Sequence, residues 1–347
     1  MAKIKVGVLG ATGMVGQRFV QLLENHPWFE LSAVAASERS AEKSYEDVMQ
    51  GRWNVSDHIP KNARRLEVQL CEPNLDCELV FSALDAGVAG KIEENFARHG
   101  YKVASNARNH RMSPDVPLLI PEVNADHLEM VKQQNYGDGF IVTNPNCSTI
   151  GLVMGLKPLQ DAFGLKQVFV TTMQALSGAG YPGVASLDIL DNVIPYISGE
   201  EEKMETETLK LLGSIENNQF RNAPISVSAQ CNRVHVKDGH LETVNVSLDK
   251  KPGVDEVINA FRDFNPLKTL KLPSAPNPPI VVKAEINRPQ PKHDRDLGNG
   301  MAVSVGRIRK CNNTDYKFIV LSHNTIRGAA GASILNAELM KSKGLIC

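Results

Sequence analysis

Ile4-Lys5-Val6-Gly7-Val8-Leu9-Gly10-Ala11-Thr12-Gly13-Met14-Val15-Gly16 is the stretch on which the reading of the fold turns. Residues 4 to 9 have the apolar composition of a buried parallel strand. Val15, Phe19, Leu22 and Leu23 then recur at helical spacing over 15–24. Between strand and helix lie glycines at 10, 13 and 16, a GxxGxxG variant of the dinucleotide fingerprint. A tight turn there lets backbone approach a pyrophosphate, and the helix N-terminus offers its N–H groups to the anion. A glycine-rich turn without a ligand is the competing reading, and the strand-turn-helix setting weighs against it.

Working outward, a second strand at Leu31–Ala36 ends in Ser37-Glu38-Arg39-Ser40, where such a fold meets the adenosine ribose. Glu38 suits a free 2′-hydroxyl. Ser37, Arg39 and Ser40 supply neutral and cationic donors for a 2′-phosphate, so the expected cofactor is NADP rather than NAD. The competing reading is a solvated loop. Further strands at 77–83 and 102–105 flank a helix at 89–99, and this alternation predicts an α/β, doubly wound, Rossmann-type parallel sheet. The loop Asn106-Ala107-Arg108-Asn109-His110-Arg111-Met112 follows at a strand's C-terminal end. Arg108, Asn109 and Arg111 are the side chains there that would grip a phosphate or carboxylate, unless the segment is an ordinary polar loop.

The next organising stretch is Asn144-Pro145-Asn146-Cys147-Ser148-Thr149-Ile150-Gly151. An apolar run at 139–143 leads into it and a helix from 148 to 163 leads out, with Ser148 or Thr149 expected as the cap. Cys147 thus stands at a helix N-terminus, where the dipole and unpaired N–H groups are expected to lower its pKa and to hold an oxyanion. A lone cysteine is otherwise a small buried hydrophobe. The polar neighbours Asn144, Asn146, Ser148 and Thr149 favour the nucleophile.

Beyond 163 the pattern changes. Strands are expected at 166–176, 224–236, 241–248, 280–286, 301–308 and 316–322, several close enough to pair antiparallel, with helices at 182–192, 201–212 and 254–264. This predicts a second, α+β domain on a mixed sheet. A final helix over 325–341, rich in alanine and glycine, is expected to return to the first domain. The expected division is therefore 1–146 completed by 325–347, and 147–324. His240 follows the turn Lys237-Asp238-Gly239 and has the pKa for a proton shuttle, although a histidine after such a turn also reads as a solvated hairpin residue. Arg233 reads as a carboxylate clamp or a surface arginine. Glu200-Glu201-Glu202-Lys203 reads, on its own, as a solvated helix start.

Composition narrows the function classes. With 38 basic and 39 acidic residues among 347, the net charge of −1 makes no electrostatic case for nucleic acid or an anionic membrane. No apolar run has the length of a membrane span, and no signal-peptide pattern opens the chain. Six cysteines without metal-ligand spacing point to free thiols, no metal, and a cytoplasmic, reducing compartment.

Taken together, several stretches resemble one family, the aspartate-semialdehyde dehydrogenases, in the branch found in archaea and fungi. They are the 10–16 fingerprint, 105–112, Leu118 with Ile120-Pro121-Glu122-Val123-Asn124, and 144–149. The others are 174–180, 200–204 with Glu207-Thr208, 231–234 with Gly239-His240, and 324–331. The resemblance implies that Cys147 is an acyl-thioester nucleophile and His240 the general acid/base. It places Gln174 and Arg233 on the amino-acid part of the substrate, and Lys203 with Arg111 on phosphate, Arg108 being the alternative. Glu200 matches the substrate-side glutamate. Gly10, Thr12, Gly13, Met14, Val15, Ser37, Arg39, Ser177, Gly178 and Asn324 would contact NADP. The implied reaction is NADPH-dependent reduction of aspartyl 4-phosphate to the semialdehyde, with the Cys147 N–H and the Asn146 side chain holding the oxyanion. A homodimer or homotetramer is implied. Two other functions fit the same residues: a malonyl-CoA reductase of the same fold, and a non-catalytic NADP-binding redox sensor.

Overall fold

The computed structural model describes residues 2–56 and 58–347. Residues 1 and 57, both inside the expected first domain, lie outside it. Six strands, β1 (Ile4–Leu9), β2 (Phe29–Ala36), β3 (Val68–Leu70), β4 (Leu79–Ser82), β5 (Lys102–Ser105) and β6 (Phe140–Thr143), form an all-parallel sheet in the order β3-β2-β1-β4-β5-β6. Helices cover both faces, which is why Val6, Val8, Leu79, Val80 and Phe81 are all fully buried. The strand order reverses between β1 and β4, and open α/β sheets bind ligands in the crevice at such a reversal. Gly10 sits at that point with a φ of +72°, and a Cβ on it would fall 2.7 Å from the Ala83 carbonyl oxygen. Only glycine lets the end of β1 pass so close to the end of β4.

The second sheet contains β7 (Leu165–Gln174), β10 (Ser226–Arg233), β11 (His240–Leu248), β12 (Ile280–Lys283), β13 (Val303–Lys310) and β14 (Tyr316–Ser322). A separate ribbon joins β8 (Ser214–Glu216) and β9 (Gln219–Arg221). The sheet order is β10-β7-β11-β14-β13-β12. β10 is parallel to β7 and β12 to β13, while the remaining pairs are antiparallel. The expected mixed sheet therefore forms, but one local reading is corrected. β10 and β11 are not a hairpin, because β7 lies between them. The turn at 237–239 crosses the end of β7. The C-terminal ends of β7 and β10 and the N-terminal end of β11 consequently share one edge, where Gln174, Arg233 and His240 meet.

Two helices differ from expectation. The segment 182–192 holds only Ser186–Ile189, since left-handed backbone at Gly180, Gly183 and Asp191 interrupts a longer helix. The last helix opens with a π-turn, Ile326–Ala330, before the regular helix Gly331–Ser342. Ile334, Leu335, Leu339 and Met340 pack with Val6, Val8 and Phe81 in the core of the parallel sheet. Helix Cys147–Phe163 instead packs Ile150, Val153 and Leu156 against Val168, Val244 and Phe318 of the mixed sheet. A buried bidentate pair, Arg327 with Glu122 at 2.8 Å for both contacts, fastens the π-turn. Among the described residues no helix is long and apolar enough to cross a membrane.

Candidate active site

Cys147 is the first residue of helix Cys147–Phe163, and Asn146 is its cap. The Asn146 Oδ1 accepts from the N–H groups of Ser148 at 2.9 Å and Thr149 at 3.2 Å. The expected caps, Ser148 and Thr149, are thus the capped residues. Asn146 itself has the non-helical backbone of a cap, φ −56° and ψ +145°. The Asn146 Nδ2 donates to Glu200 Oε1 at 2.6 Å, and its backbone N–H donates to Glu207 Oε2 at 2.7 Å. The Cys147 N–H finds no acceptor among the described residues.

The Cys147 Sγ lies 3.3 Å from His240 Nε2. On the far side of the ring, the Ala175 N–H donates to His240 Nδ1 at 3.0 Å. An amide N–H can only donate, so Nδ1 accepts and the neutral imidazole carries its proton on Nε2, facing the sulfur. His240 is fully buried, and desolvation, followed by Arg233 and His323, depresses its pKa to about 3. Burial and then Glu200 push the Cys147 thiol up to about 12, against the pull of Lys203, Arg233 and Arg111. The resting pair is thiol and neutral imidazole. This corrects the expected low cysteine pKa. Asn146 has taken the Ser148 and Thr149 N–H groups that would otherwise face the sulfur, and desolvation outweighs what remains.

The same Ala175 that orients His240 accepts a 2.7 Å hydrogen bond from Arg233 Nη1 through its carbonyl. Gln174, one residue earlier, is buried and stands in register with Arg233. Its Nε2 donates to Thr172 Oγ1 at 3.3 Å. Gly178 closes over this pair: a Cβ there would lie 2.8 Å from Arg233 Nη1 and 3.3 Å from His240 Nε2. Asn324 ties the two loops together, donating to Ser177 Oγ at 2.8 Å and accepting from the Gly239 N–H at 2.9 Å.

Cys147 opens onto a cavity of about 440 Å³ between the two sheets. Arg111, Arg108, Lys203, Met14, Val15 and Leu84 line it, with Ser177, Gly178 and Asn324 also at the wall. Arg111 is buried and aimed, its Nη1 bonded to Glu207 Oε1 at 2.9 Å and its Nη2 to the Asn106 carbonyl at 2.8 Å. Lys203 Nζ lies 2.5 Å from Glu200 Oε2. Arg108 is exposed. Asn109 is not at the wall: its side chain donates to the Ala86 carbonyl at 2.9 Å and packs on Gly90. Its short side chain anchors the loop to helix Ala86–Arg98 instead.

The turn bearing Gly10, Thr12 and Gly13 adjoins the cavity through Met14 and Val15. Gly13 is the cap of helix Met14–Leu22, and no side chain caps its first N–H groups. A glycine-lined turn with uncapped N–H donors fits a pyrophosphate. Ser37 and Arg39 are exposed at the C-terminal end of β2, outside the cavity wall, and Ser40 is buried with its N–H on the Ser37 carbonyl at 2.9 Å. A ligand laid along the sheet edge from the cavity would reach the first two; Ser40 turns away from it.

Three contributors were given no role from the sequence. Glu207 joins Arg111 to the backbone of Asn146. Its signal was the spacing of Glu200, Lys203 and Glu207, which puts them on one stripe of helix Glu200–Leu211. Glu200 and Glu207 are only 5% and 2% exposed, so this stripe is not a solvated face. Ala175 acts through its backbone and leaves no side-chain signal. Gly328, in the π-turn, packs directly on Cys147.

Residues 5–131 match the family described as semialdehyde dehydrogenase, NAD binding domain, and residues 156–327 match semialdehyde dehydrogenase, dimerisation domain. The chain is 54% identical to the aspartate-semialdehyde dehydrogenase of Archaeoglobus fulgidus, over 99% of this chain and 100% of that protein. It is 47% identical to that of Candida albicans over the whole of both chains. The crystal structure of the Candida albicans enzyme with NADP superposes with a TM-score of 0.92 at 46% identity, covering 99% of this chain and 100% of that one. Aspartate semialdehyde dehydrogenase II of Vibrio cholerae, complexed with ASA, superposes at 0.78 with 26% identity, covering 98% and 99%. Matched by the family's models over both parts and identical to its members at about half of all positions over the full length, this chain belongs to the aspartate-semialdehyde dehydrogenase family.

Proposed function

We propose that the protein catalyses the reversible, phosphate-dependent interconversion of L-aspartyl 4-phosphate and L-aspartate 4-semialdehyde with NADP, in biosynthesis of lysine, threonine and methionine. The observation that carries this is the Cys147–His240 contact at a cavity lined by Met14 and Val15, which follow the glycine turn, and by Arg111 and Lys203.

In the reducing direction Cys147 sulfur attacks the acyl carbon, and the proton lost from the thiol is taken up by the departing phosphate. The Cys147 N–H, uncommitted among the described residues, donates to the oxyanion that forms. Asn146 Nδ2 is held by Glu200, so it contributes with its second hydrogen. Arg111 and Lys203 draw off the phosphate, with Arg108 at the mouth. Bound NADPH supplies the hydride that reduces the thioester carbon. As the carbonyl re-forms, His240 Nε2–H hydrogen-bonds the departing thiolate, which takes a proton from solvent to restore the thiol; this uses His240 as a hydrogen-bond donor in place of the expected general acid/base. Arg233 keeps guanidinium N–H groups beyond the one on Ala175 for the substrate α-carboxylate, and Gln174 beside it orients the amino-acid end. Glu200 fixes Lys203 and Asn146. Gly10, Thr12, Gly13, Met14, Val15, Ser37, Arg39, Ser177, Gly178 and Asn324 are the residues that would hold NADP.

The functional unit is a homodimer or homotetramer in the cytoplasm, without nucleic-acid or membrane partners. Tyr181, Leu187, Leu190, Val193 and Tyr196 form an exposed apolar segment in the part of the chain that matches the dimerisation domain, which supports self-association. The test of the reaction is NADP⁺ reduction by aspartate semialdehyde with and without phosphate, for the wild type and Cys147→Ala. Turnover that needs both phosphate and the cysteine supports the proposal. Reduction of malonyl-CoA alone, or NADP binding with no turnover, overturns it.

A further inference from the structure

We propose that Lys210 is a positioning residue for anion binding: its caged ammonium holds the 106–116 loop in the conformation that presents Arg111 to the cavity. This rests on the reading of Arg111 as a phosphate ligand.

Lys210 is 3% exposed and forms no ion pair among the described residues. Its Nζ donates instead to the carbonyls of Arg111 at 2.8 Å, Ser113 at 2.8 Å and Val116 at 2.9 Å. An ammonium has three N–H groups, and all three are spent on one loop. The Phe220 ring, from the β8–β9 ribbon, lies 4.3 Å over the nitrogen and closes the cage. Burying an ammonium is costly, and a methionine would fill the space without that cost. What a methionine cannot do is satisfy three carbonyls of an irregular segment. Glu207 and Lys210, one turn apart on the same helix, thus grip Arg111 at both ends, the first at its guanidinium and the second at its own carbonyl. Burial depresses the lysine pKa to about 8, opposed by Asp115 and Glu207.

The test compares wild type, Lys210→Met, Lys210→Gln and Arg111→Leu in phosphate-dependent NADP⁺ reduction, with hydrogen exchange measured across the loop. For Lys210→Met the KM for phosphate should rise about tenfold while kcat and the KM for semialdehyde and NADP⁺ stay near wild type. Amides of 106–116 should exchange faster, with those of the parallel sheet unchanged. Lys210→Gln, which keeps two donors, should fall between. An unchanged phosphate KM, an equal rise in every KM, or an unaltered loop overturns the proposal, as do both lysine variants failing to fold. If Arg111→Leu leaves phosphate KM unchanged, the reading of Arg111 fails first; if it raises KM and Lys210→Met does not, only the role of Lys210 fails.

Discussion

The backbone N–H of Ala175 donates to His240 Nδ1 at 3.0 Å, and this bond decides which ring nitrogen faces Cys147 with a proton. An imidazolium would put a second hydrogen against the Ala175 N–H, so the pair rests uncharged. Thiolate is then scarce in the ligand-free enzyme.

Alkylation should show this. Cys311, partly exposed in the turn from β13 to β14, is drawn down to about 7 by the Thr314 hydroxyl and the N–H groups of Asn313 and Thr314. Iodoacetamide at neutral pH should label Cys311 before Cys147 and leave activity intact. The Cys147 rate should keep climbing with pH because its pKa lies near 12. Peptide mass spectrometry against time and pH checks both; a Cys147 rate that levels off near neutrality contradicts the assignment.

Gly178→Ala tests the closeness of the loop to Arg233 and His240. The added methyl would press on Arg233 Nη1 and His240 Nε2, and neither can retreat because both are held by Ala175. kcat/KM should fall about 100-fold. The thermal midpoint should change little, since the loop is at the cavity wall and outside both cores. Near-normal turnover would show that the pair tolerates displacement.

The Glu122–Arg327 pair is wholly buried and joins the short helix Pro121–Asn124 to the π-turn. Arg327→Met leaves a carboxylate with no counter-charge and should cost about 3–5 kcal/mol in urea unfolding. Adding Glu122→Gln should recover part of that loss. If the double variant is no better than the single, charge burial is not the cause.

Glu242, two residues beyond His240 on β11, is fully buried, with neither carboxylate oxygen hydrogen-bonded among the described residues, and burial raises its pKa well above the ordinary value. A folded pKa above the unfolded one means the folded state keeps a proton that the unfolded state loses. Stability from this group is therefore full below the unfolded pKa and declines as pH rises towards the folded one. Glu242→Gln should flatten that decline and be more stable than wild type near neutrality. Parallel pH profiles of the urea midpoint would refute it.

How far the sequence discloses this molecule follows from where its signals lie. Ile4–Gly16 is legible because a buried strand, a glycine turn and an amphipathic helix each leave a local pattern. Cys147 is legible for the same reason. β3, only three residues long, leaves none. The crossing of β7 by the 237–239 turn is a choice of pairing, and the residues of β10 and β11 are compatible with a hairpin. His240 therefore looks like a rim residue until the sheet order puts it against the sulfur. Glu207 and Lys210 are spaced as helix-surface charges; only tertiary packing turns them inward. Ala175 works through its peptide groups, which every residue has.

The most direct test of the central claim is to mix the enzyme with aspartate semialdehyde and NADP⁺ in the absence of phosphate, quench in acid, and map the cysteine peptides by mass spectrometry. An aspartyl thioester on Cys147, formed with one equivalent of NADPH and discharged on adding phosphate, is the predicted result. NADPH formation with Cys147 unmodified, or an acyl group on another cysteine, would contradict the account.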